Sequence, residues 1–146
     1  MELFLEKWLG EILTVSIGAT SEEAGTRTNL IKVGGQKTLP FLFLEGQIPY
    51  KPVIAFEIWD TAPLDWPEQL IKPYKDVAGN PLEWAEKCVK EFKAELLFIR
   101  LQSVHPDFGD KGPDEEAKLI QQLLKRVKVP LIICGCGDDT KDNLVL

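Results

Sequence analysis

Few side chains in this sequence could carry metal or nucleophilic chemistry unaided. His105 is the only histidine, so a site built on two imidazoles cannot come from this sequence. Cys134 and Cys136 form a C-x-C pair rather than the C-x-x-C of zinc and iron–sulfur sites, and two thiolates alone cannot hold a cluster. Cys88 falls on the apolar face of a predicted helix and is best explained as a core residue. The sequence therefore predicts no metal bound by this chain alone.

Two opposite charges occur within otherwise apolar strands. The predicted strands span Val53–Trp59 and Leu96–Leu101, and they contain Glu57 and Arg100 near their C-terminal ends. Side chains alternate between the faces of a strand, so both charges should project from the same face of neighbouring strands. An isolated buried charge is costly and a paired one is tolerable, so we predict a Glu57–Arg100 ion pair. Such a pair could order the structure or serve a site.

Beyond Pro52 the pattern alternates between strands and amphipathic helices. A third strand is predicted at Val129–Cys134, and helices are predicted at Pro81–Phe92, at Pro113–Val127 and from Asp138 onward. Asn80 is typical of a helix N-cap, and Asp114, Glu115 and Glu116 complement the dipole of the second helix. This alternation predicts an α/β fold of parallel β/α units with right-handed crossovers.

The charges inside the strands favour a closed parallel β/α (TIM) barrel over an open sheet. A barrel needs eight strands and roughly 200 to 250 residues. We therefore expect residues 52–146 to form the N-terminal portion only, the first three βα units, either truncated or completed by another polypeptide. Residues 1–51 are expected to precede it, with a helix over Glu2–Ile12 and a small β-hairpin of Leu13–Ile17 and Asn29–Val33.

The composition is typical of a reduced globular protein. Hydrophobic residues make up 45% and charged residues 27% of the chain, and a net charge of -6 creates no surface-wide attraction to nucleic acid or anionic membrane. No apolar run approaches the roughly 18 residues of a membrane-spanning helix. The N-terminus lacks a signal-peptide pattern, and the cysteines form no disulfide framework. We expect a cytoplasmic protein without nucleic-acid or membrane partners.

Several stretches are more specific than periodicity requires. They are the Gly-Ala-Thr run at Gly18, the Gly-Thr-Arg run at Gly25, and then Val33–Phe41, Glu45–Ile54, Pro63, Trp66–Pro67, Trp84–Val89, Ala94–Leu97 and Cys134–Asp138. Their ordered succession, from about Ile12 to Leu146, resembles the small (delta) subunit family of the corrinoid iron–sulfur protein. That protein belongs to the carbon monoxide dehydrogenase/acetyl-CoA synthase system. Family members are longer, and their fold is an eight-stranded β/α barrel preceded by a small hairpin.

The resemblance implies a role in methyl transfer. In this family the small subunit forms a heterodimer with a large subunit that carries a four-iron cluster and the corrinoid. A methyltransferase delivers the methyl group of a methyltetrahydropterin to cobalt, which passes it to acetyl-CoA synthase. The barrel mouth of the small subunit faces the corrinoid and shields it. The resemblance thus implies a shared corrinoid cofactor and no catalytic residue in this chain.

Residues at the C-terminal ends of the strands are the candidates for contact with the corrinoid, because β/α barrels bind ligands there. Together with the resemblance, this position marks Asp60, Gln102, Ser103 and Gly135 as corrinoid-facing. The competing interpretation makes each of them a loop cap or turn residue. His105 could be a cobalt ligand, although a solvated loop residue is the simpler expectation.

Two other classes of function stay open at this point. The chain could belong to a pterin-dependent methyltransferase of the same barrel architecture, which would bind methyltetrahydropterin directly. It could also belong to a hydrolase or aldolase barrel that is related to the family by descent only.

Overall fold

The computed structural model describes residues 4–6, 9–39 and 41–146. Its strands are β1 (Val15–Ile17), β2 (Ile31–Val33), β3 (Phe56–Trp59), β4 (Leu97–Arg100) and β5 (Leu131–Cys134). Its α-helices are α1 (Glu68–Ile71), α2 (Pro81–Lys90), α3 (Pro113–Arg126) and α4 (Asp139–Val145). Strands β3, β4 and β5 form a parallel sheet in that order, and β1 pairs with β2 in a separate antiparallel hairpin. The predicted α/β fold with a parallel sheet is confirmed for the described residues.

The faces of the parallel sheet follow the alternation predicted from the sequence. Ile58 lies opposite Ile99 in the β3–β4 register, and both side chains are fully buried beneath the helices. Trp59 lies opposite Arg100, which in turn lies opposite Cys134, so these three side chains share the other face. The observed strands are shorter than the apolar runs that predicted them, because only four consecutive residues of each run pair with a neighbouring strand.

Helices α2, α3 and α4 begin where the sequence predicts, whereas the short helix α1 was not predicted. The Asn80 side chain accepts hydrogen bonds from the backbone N–H groups at positions 82 and 83, at 3.2 and 3.4 Å, and so caps α2. Helix α2 buries Trp84 and Cys88 completely, and burial raises the pKa of the Cys88 thiol to about 11. Asp138 caps α4 by accepting from Lys141 N at 2.9 Å. In the described part of the chain no helix is both long and apolar enough to cross a membrane.

The N-terminal segment differs from the prediction. The hairpin is confirmed, but residues 4–6 and 9–12 are not helical; Leu3 and Trp8, two apolar positions of the predicted helix, lie outside the described residues. Ile12 N donates to Gln36 O at 2.9 Å, and Gly35 N donates to Ile12 O at 2.8 Å. The chain before β1 therefore extends the hairpin ladder, and this pairing outweighs the helical spacing of the apolar residues.

The hairpin is attached to the N-terminal end of the parallel sheet. Arg27, which follows the turn between β1 and β2, donates to Leu124 O and Val127 O, both at 2.7 Å. Leu124 lies in the last turn of α3 and Val127 directly follows the helix, so no intrahelical donor remains for their carbonyls. Thr28 N adds a bond to Lys128 O at 2.9 Å. The hairpin thus closes the end at which the strands begin.

Candidate functional site

An open cleft of about 530 Å³ lies at the C-terminal ends of β3 and β4, and we call it the C-terminal cleft. It is lined by Glu57, Trp59, Asp65, Trp66, Leu70, Arg100, Gln102 and Phe108. Parallel α/β sheets bind their ligands outside the carboxyl ends of the strands, and this volume is within the range of pockets that take small molecules. The cleft is therefore the candidate site of the described residues.

The predicted ion pair lies in the C-terminal cleft. Arg100 Nε donates to Glu57 Oε1 at 2.8 Å, and Trp59 Nε1 donates to the same oxygen at 2.8 Å. The hydrogen bond to Glu57 raises the pKa of Arg100, so the guanidinium stays charged. The side chains of Arg100 and Glu57 are 30% and 39% exposed, so solvent reaches the pair. The prediction of a Glu57–Arg100 pair is confirmed, and the pair fixes the direction of the guanidinium.

Aromatic rings form one wall of the cleft and continue into the core. The ring centroids of Trp59 and Trp66 are 5.5 Å apart with an interplanar angle of 77°. Trp66 contacts the buried Trp84 in the same edge-to-face manner at 5.7 Å, and Trp84 contacts Tyr74 at 5.3 Å. Edge-to-face contacts of this kind stabilise a fixed arrangement of rings. The wall is therefore rigid and apolar.

Asp60 and Ser103 are brought together, but beneath the surface. Ser103 N donates to both carboxylate oxygens of Asp60 at 3.1 Å, and Ser103 Oγ donates to Asp60 Oδ2. The two residues are 6% and 2% exposed. In this position the Asp60 carboxylate caps the turn that follows β4, as the competing interpretation expects. Contact of Asp60 or Ser103 with a corrinoid stays a prediction.

Gln102 and Gly135, the other two candidates, have different surroundings. Gln102 lines the C-terminal cleft. Gly135 lies against α4, because a Cβ placed there would come within 2.2 Å of the Asp142 carboxyl. That carboxylate accepts from Cys136 N at 2.8 Å and from Gly137 N at 2.9 Å. Burial alone would raise the pKa of Asp142, but these bonds outweigh it and lower the pKa. Only Gln102 of this pair is brought to the cleft.

No group of three or more potential metal ligands occurs within residues 4–6, 9–39 and 41–146. His105 Nδ1 accepts from Asp107 N at 3.1 Å, and its ring contacts Phe108 at 5.6 Å. Cys136 packs against the hydrophobic core. Burial raises the pKa of its thiol. The imidazole thus contacts other residues of the loop after β4, and the sequence predicts a loop residue at this position.

Comparisons with known proteins identify the family. The model of the family described as CO dehydrogenase/acetyl-CoA synthase delta subunit matches residues 14–146. The chain belongs to this delta-subunit family. The resemblance found in the sequence is confirmed.

Curated relatives agree in name. The chain is 42% identical to the acetyl-CoA decarbonylase/synthase complex subunit delta of Methanocaldococcus jannaschii over 142 residues, which are 97% of this chain and 34% of that protein. It is 37% identical to the subunit delta of Archaeoglobus fulgidus over 145 residues, 99% of this chain and 32% of that protein. For Methanopyrus kandleri the identity is 32% over 134 residues, 91% of this chain and 33% of that protein. The chain spans about a third of the length of these relatives, and their names describe a subunit of a complex.

Sequence reasoning missed part of the cleft of this delta-family chain. Asp65, Leu70 and Phe108 were not singled out, although all three line it. Asp65 and Leu70 come from the long proline-rich connection after β3, and Phe108 comes from the loop after β4. A signal was present, because long loops at the C-terminal ends of β/α strands commonly contribute to sites. The alternation of the strands pointed only to residues at the strand ends.

Proposed function

We propose that this delta-family chain helps a corrinoid iron–sulfur protein carry a methyl group from a methyltetrahydropterin to acetyl-CoA synthase. In this proposal the chain shields and orients the corrinoid and supplies no catalytic residue. The observation that supports it most is the C-terminal cleft, with Trp59 and Trp66 on one wall and Arg100 and Gln102 beside them. Membership in the delta-subunit family supports the same role.

The residues of the cleft fit a large macrocycle that carries amide side chains. Trp59 and Trp66 provide an apolar surface, while Gln102 can both donate and accept hydrogen bonds. Arg100 uses its Nε for Glu57, and its two terminal nitrogens donate to no group among the described residues. A cleft of about 530 Å³ has room for part of a corrinoid, as expected for a cofactor shared with a large subunit.

The chemistry of the corrinoid explains why a wall of this kind would help. A bound corrinoid supplies a Co(I) nucleophile, which is easily oxidised. The indole rings of Trp59 and Trp66 would exclude water and dioxygen from one side of the site. Arg100, held by Glu57, and Gln102 would fix the orientation of polar groups at its edge. Preorganised contacts of this kind lower the cost of reaching the reactive geometry.

The proposal includes an architecture and a set of partners. The three parallel strands would be the first of an eight-stranded β/α barrel, with the cleft at its mouth. The large corrinoid iron–sulfur subunit would be the stable partner, and the methyltransferase and acetyl-CoA synthase would bind transiently in the cytoplasm. A barrel that binds methyltetrahydropterin directly is the alternative that the experiment must separate.

The test uses the full delta subunit assembled with its large subunit. Trp59→Ala should speed the oxidation of Co(I) by dioxygen several-fold, and the loss of Co(I) absorbance measures that rate. The two subunits should stay associated. Phe43→Ala is the matched control, because Phe43 is an aromatic residue that is 67% exposed and does not line the cleft. Equal oxidation rates in wild type and Trp59→Ala would contradict the shielding role. Methylation of free cobalamin by the delta subunit without its partner would favour the methyltransferase alternative.

A further inference from the structure

A second acidic residue reaches the buried Asp60–Ser103 contact. Glu116 lies in the first turn of α3 and is only 2% exposed. Its Oε1 is 3.1 Å from Ser103 Oγ, and its Oε2 is buried without a hydrogen-bond partner among the described residues. Ser103 Oγ therefore lies between the Glu116 carboxyl and Asp60 Oδ2.

A count of the available protons favours one protonated carboxyl group in this arrangement. A serine hydroxyl has one hydrogen to donate, and an ionised carboxylate can only accept. If Asp60 and Glu116 were both ionised, they would have to share that single hydrogen, or one contact to Ser103 Oγ would join two lone pairs. Two full hydrogen bonds to Ser103 Oγ require one carboxyl group to carry a proton and donate it to Ser103.

The surroundings decide which carboxyl group carries it. Asp60 accepts the backbone N–H of Ser103 with both oxygens, so both oxygens already act as acceptors. Glu116 accepts no backbone N–H from the part of the chain that the structure describes, and its burial, followed by the charge of Asp60, raises the pKa of its carboxyl. Lys111 acts in the opposite direction, but its Nζ is 3.8 Å away and its side chain is 38% exposed.

A hydrogen bond donated by Ser103 and the N-terminal end of the α3 dipole would favour the ionised form of Glu116, and the remaining groups around it would not. Glu115, its neighbour on α3, adds to the rise of the pKa. The other residues that line its pocket all have apolar side chains: Leu101, Pro113, Ala117, Ile120, Ile133, Val145 and Leu146. Among the described residues, an ionised Glu116 would thus have the 3.8 Å contact with Lys111 as its ion pair.

We propose that Glu116 is a neutral carboxylic acid at neutral pH and donates its proton to Ser103 Oγ. Asp60, Ser103 and Glu116 then form a link, which we call the one-proton link, between the ends of β3 and β4 and the start of α3. Ser103 also accepts from Lys111 N at 3.1 Å through its carbonyl, so the link anchors both ends of the loop 103–111. Gln102 directly precedes this loop and Phe108 lies within it, and both residues line the C-terminal cleft. Glu116 is therefore a positioning residue for the C-terminal cleft.

The direction of the pH dependence follows from the raised pKa. The contribution of protonated Glu116 to stability is complete below the ordinary glutamate pKa of about 4.3. It is lost as the pH rises through the higher pKa of the folded state. Loss of the proton leaves two carboxylates around one hydroxyl, and the loop 103–111 should then open.

Infrared spectroscopy of the full subunit at neutral pH tests the proposal directly. Wild type should show the carbonyl stretch of a protonated carboxylic acid, which Glu116→Gln should lack. Asp114→Asn is the matched control, because Asp114 is an exposed acidic residue in the same turn and its removal should leave the band unchanged. Absence of the band in wild type, or its persistence in Glu116→Gln, would overturn the proposal.

Hydrogen exchange then tests the positioning role separately from the proton. Comparing wild type with Glu116→Gln at each pH cancels the intrinsic pH dependence of exchange. The pH is raised until the infrared band of wild type disappears. Over this range the backbone amides of residues 102–111 should exchange increasingly faster in wild type than in Glu116→Gln. A constant ratio of the two exchange rates across that range would rule out the positioning role. Both measurements need no corrinoid, so their failure would leave the proposed function unaffected.

Discussion

The two ends of the parallel sheet each depend on an arginine, and the two arginines are used in opposite ways. At the N-terminal end Arg27 is 8% exposed and donates to the carbonyls of Leu124, Val127 and Val129. At the C-terminal end the Arg100 side chain is 30% exposed and donates to Glu57 alone among the described residues. Burial lowers the pKa of Arg27, while the bond to Glu57 raises that of Arg100. An arginine whose guanidinium nitrogens all have acceptors within the fold, as Arg27 has in these carbonyls and in Thr26 Oγ1, holds the fold, and one with donors left over can bind a ligand.

The largest effect should come from the closed N-terminal end. Arg27→Met should lower the free energy of unfolding by about 3 kcal/mol, because several buried carbonyls lose a charged donor. Arg27→Lys should recover little, since an ammonium cannot reach carbonyls in the fork geometry of a guanidinium. Urea unfolding of the full subunit measures both. Lys128→Gln, which removes an exposed charge at the same end, is the control, and a loss below 1 kcal/mol for Arg27→Met would contradict the contrast.

The next effect concerns the backbone turn at the C-terminal end. Asp142→Ala should cost about 1 to 2 kcal/mol of unfolding free energy, because the N–H groups of Cys136 and Gly137 lose their acceptor. The pKa of Asp142 is lowered in the folded state. Its stabilisation is therefore present above the ordinary aspartate pKa of about 3.9 and lost as the pH falls through the lower value. The difference in the free energy of unfolding between wild type and Asp142→Ala should therefore shrink in acid. Asp139→Asn, which changes an exposed residue on the same helix, should show no such trend.

A smaller effect on stability is expected from the cleft pair itself. Glu57→Gln should change the free energy of unfolding by less than about 1 kcal/mol, because the pair is partly exposed and screened. The same substitution should weaken the retention of corrinoid by the assembled protein, since Arg100 loses the partner that fixes its direction. Equilibrium unfolding and the cobalt content after gel filtration measure the two effects. A stability loss as large as that of Arg27→Met would remove the contrast between the two arginines.

The smallest effect should come from the helix surface between the two ends. Glu86 accepts from Arg126 at 2.6 Å and from Lys90 at 2.8 Å, and the bond to Arg126 is the main cause of its pKa of about 2. Arg126→Gln should move that pKa up toward the ordinary glutamate value, as an NMR titration would show. High salt should weaken the contact between Glu86 and Arg126. At high salt the midpoint of urea unfolding of Arg126→Gln should therefore hardly differ from that of wild type. A salt-independent loss of stability would show that the pair is more than a surface contact.

Local patterns were sufficient where a feature depends on neighbouring residues or on a regular period. Asn80 predicted the start of α2, and strand alternation predicted the contact between Glu57 and Arg100, because parallel strands align their ends. The contact of Arg27 with Leu124 and Val127 spans about 100 positions along the chain. No local pattern encodes such a contact.

The contacts of Glu116 were equally hidden from the sequence. Its spacing from the buried Leu123 and Val127 places it on the inner face of α3, but no local pattern encodes the approach of Ser103 and Asp60. The extension of the hairpin at Ile12 was missed for a similar reason, since its partners at Gly35 and Gln36 overrode the apparent helical spacing. In each of these cases tertiary contacts decided the environment of the side chain.

The series of indole rings has a practical consequence for following the protein in solution. Trp59 at the cleft contacts Trp66, which contacts Trp84, at centroid distances of 5.5 and 5.7 Å; Trp8 lies outside the described residues. Excitation of any ring in this series can pass to its neighbours, so the three share one emission. A coloured cofactor seated beside Trp59 would quench that shared emission. Occupancy of the cleft could therefore be read from intrinsic fluorescence without a label.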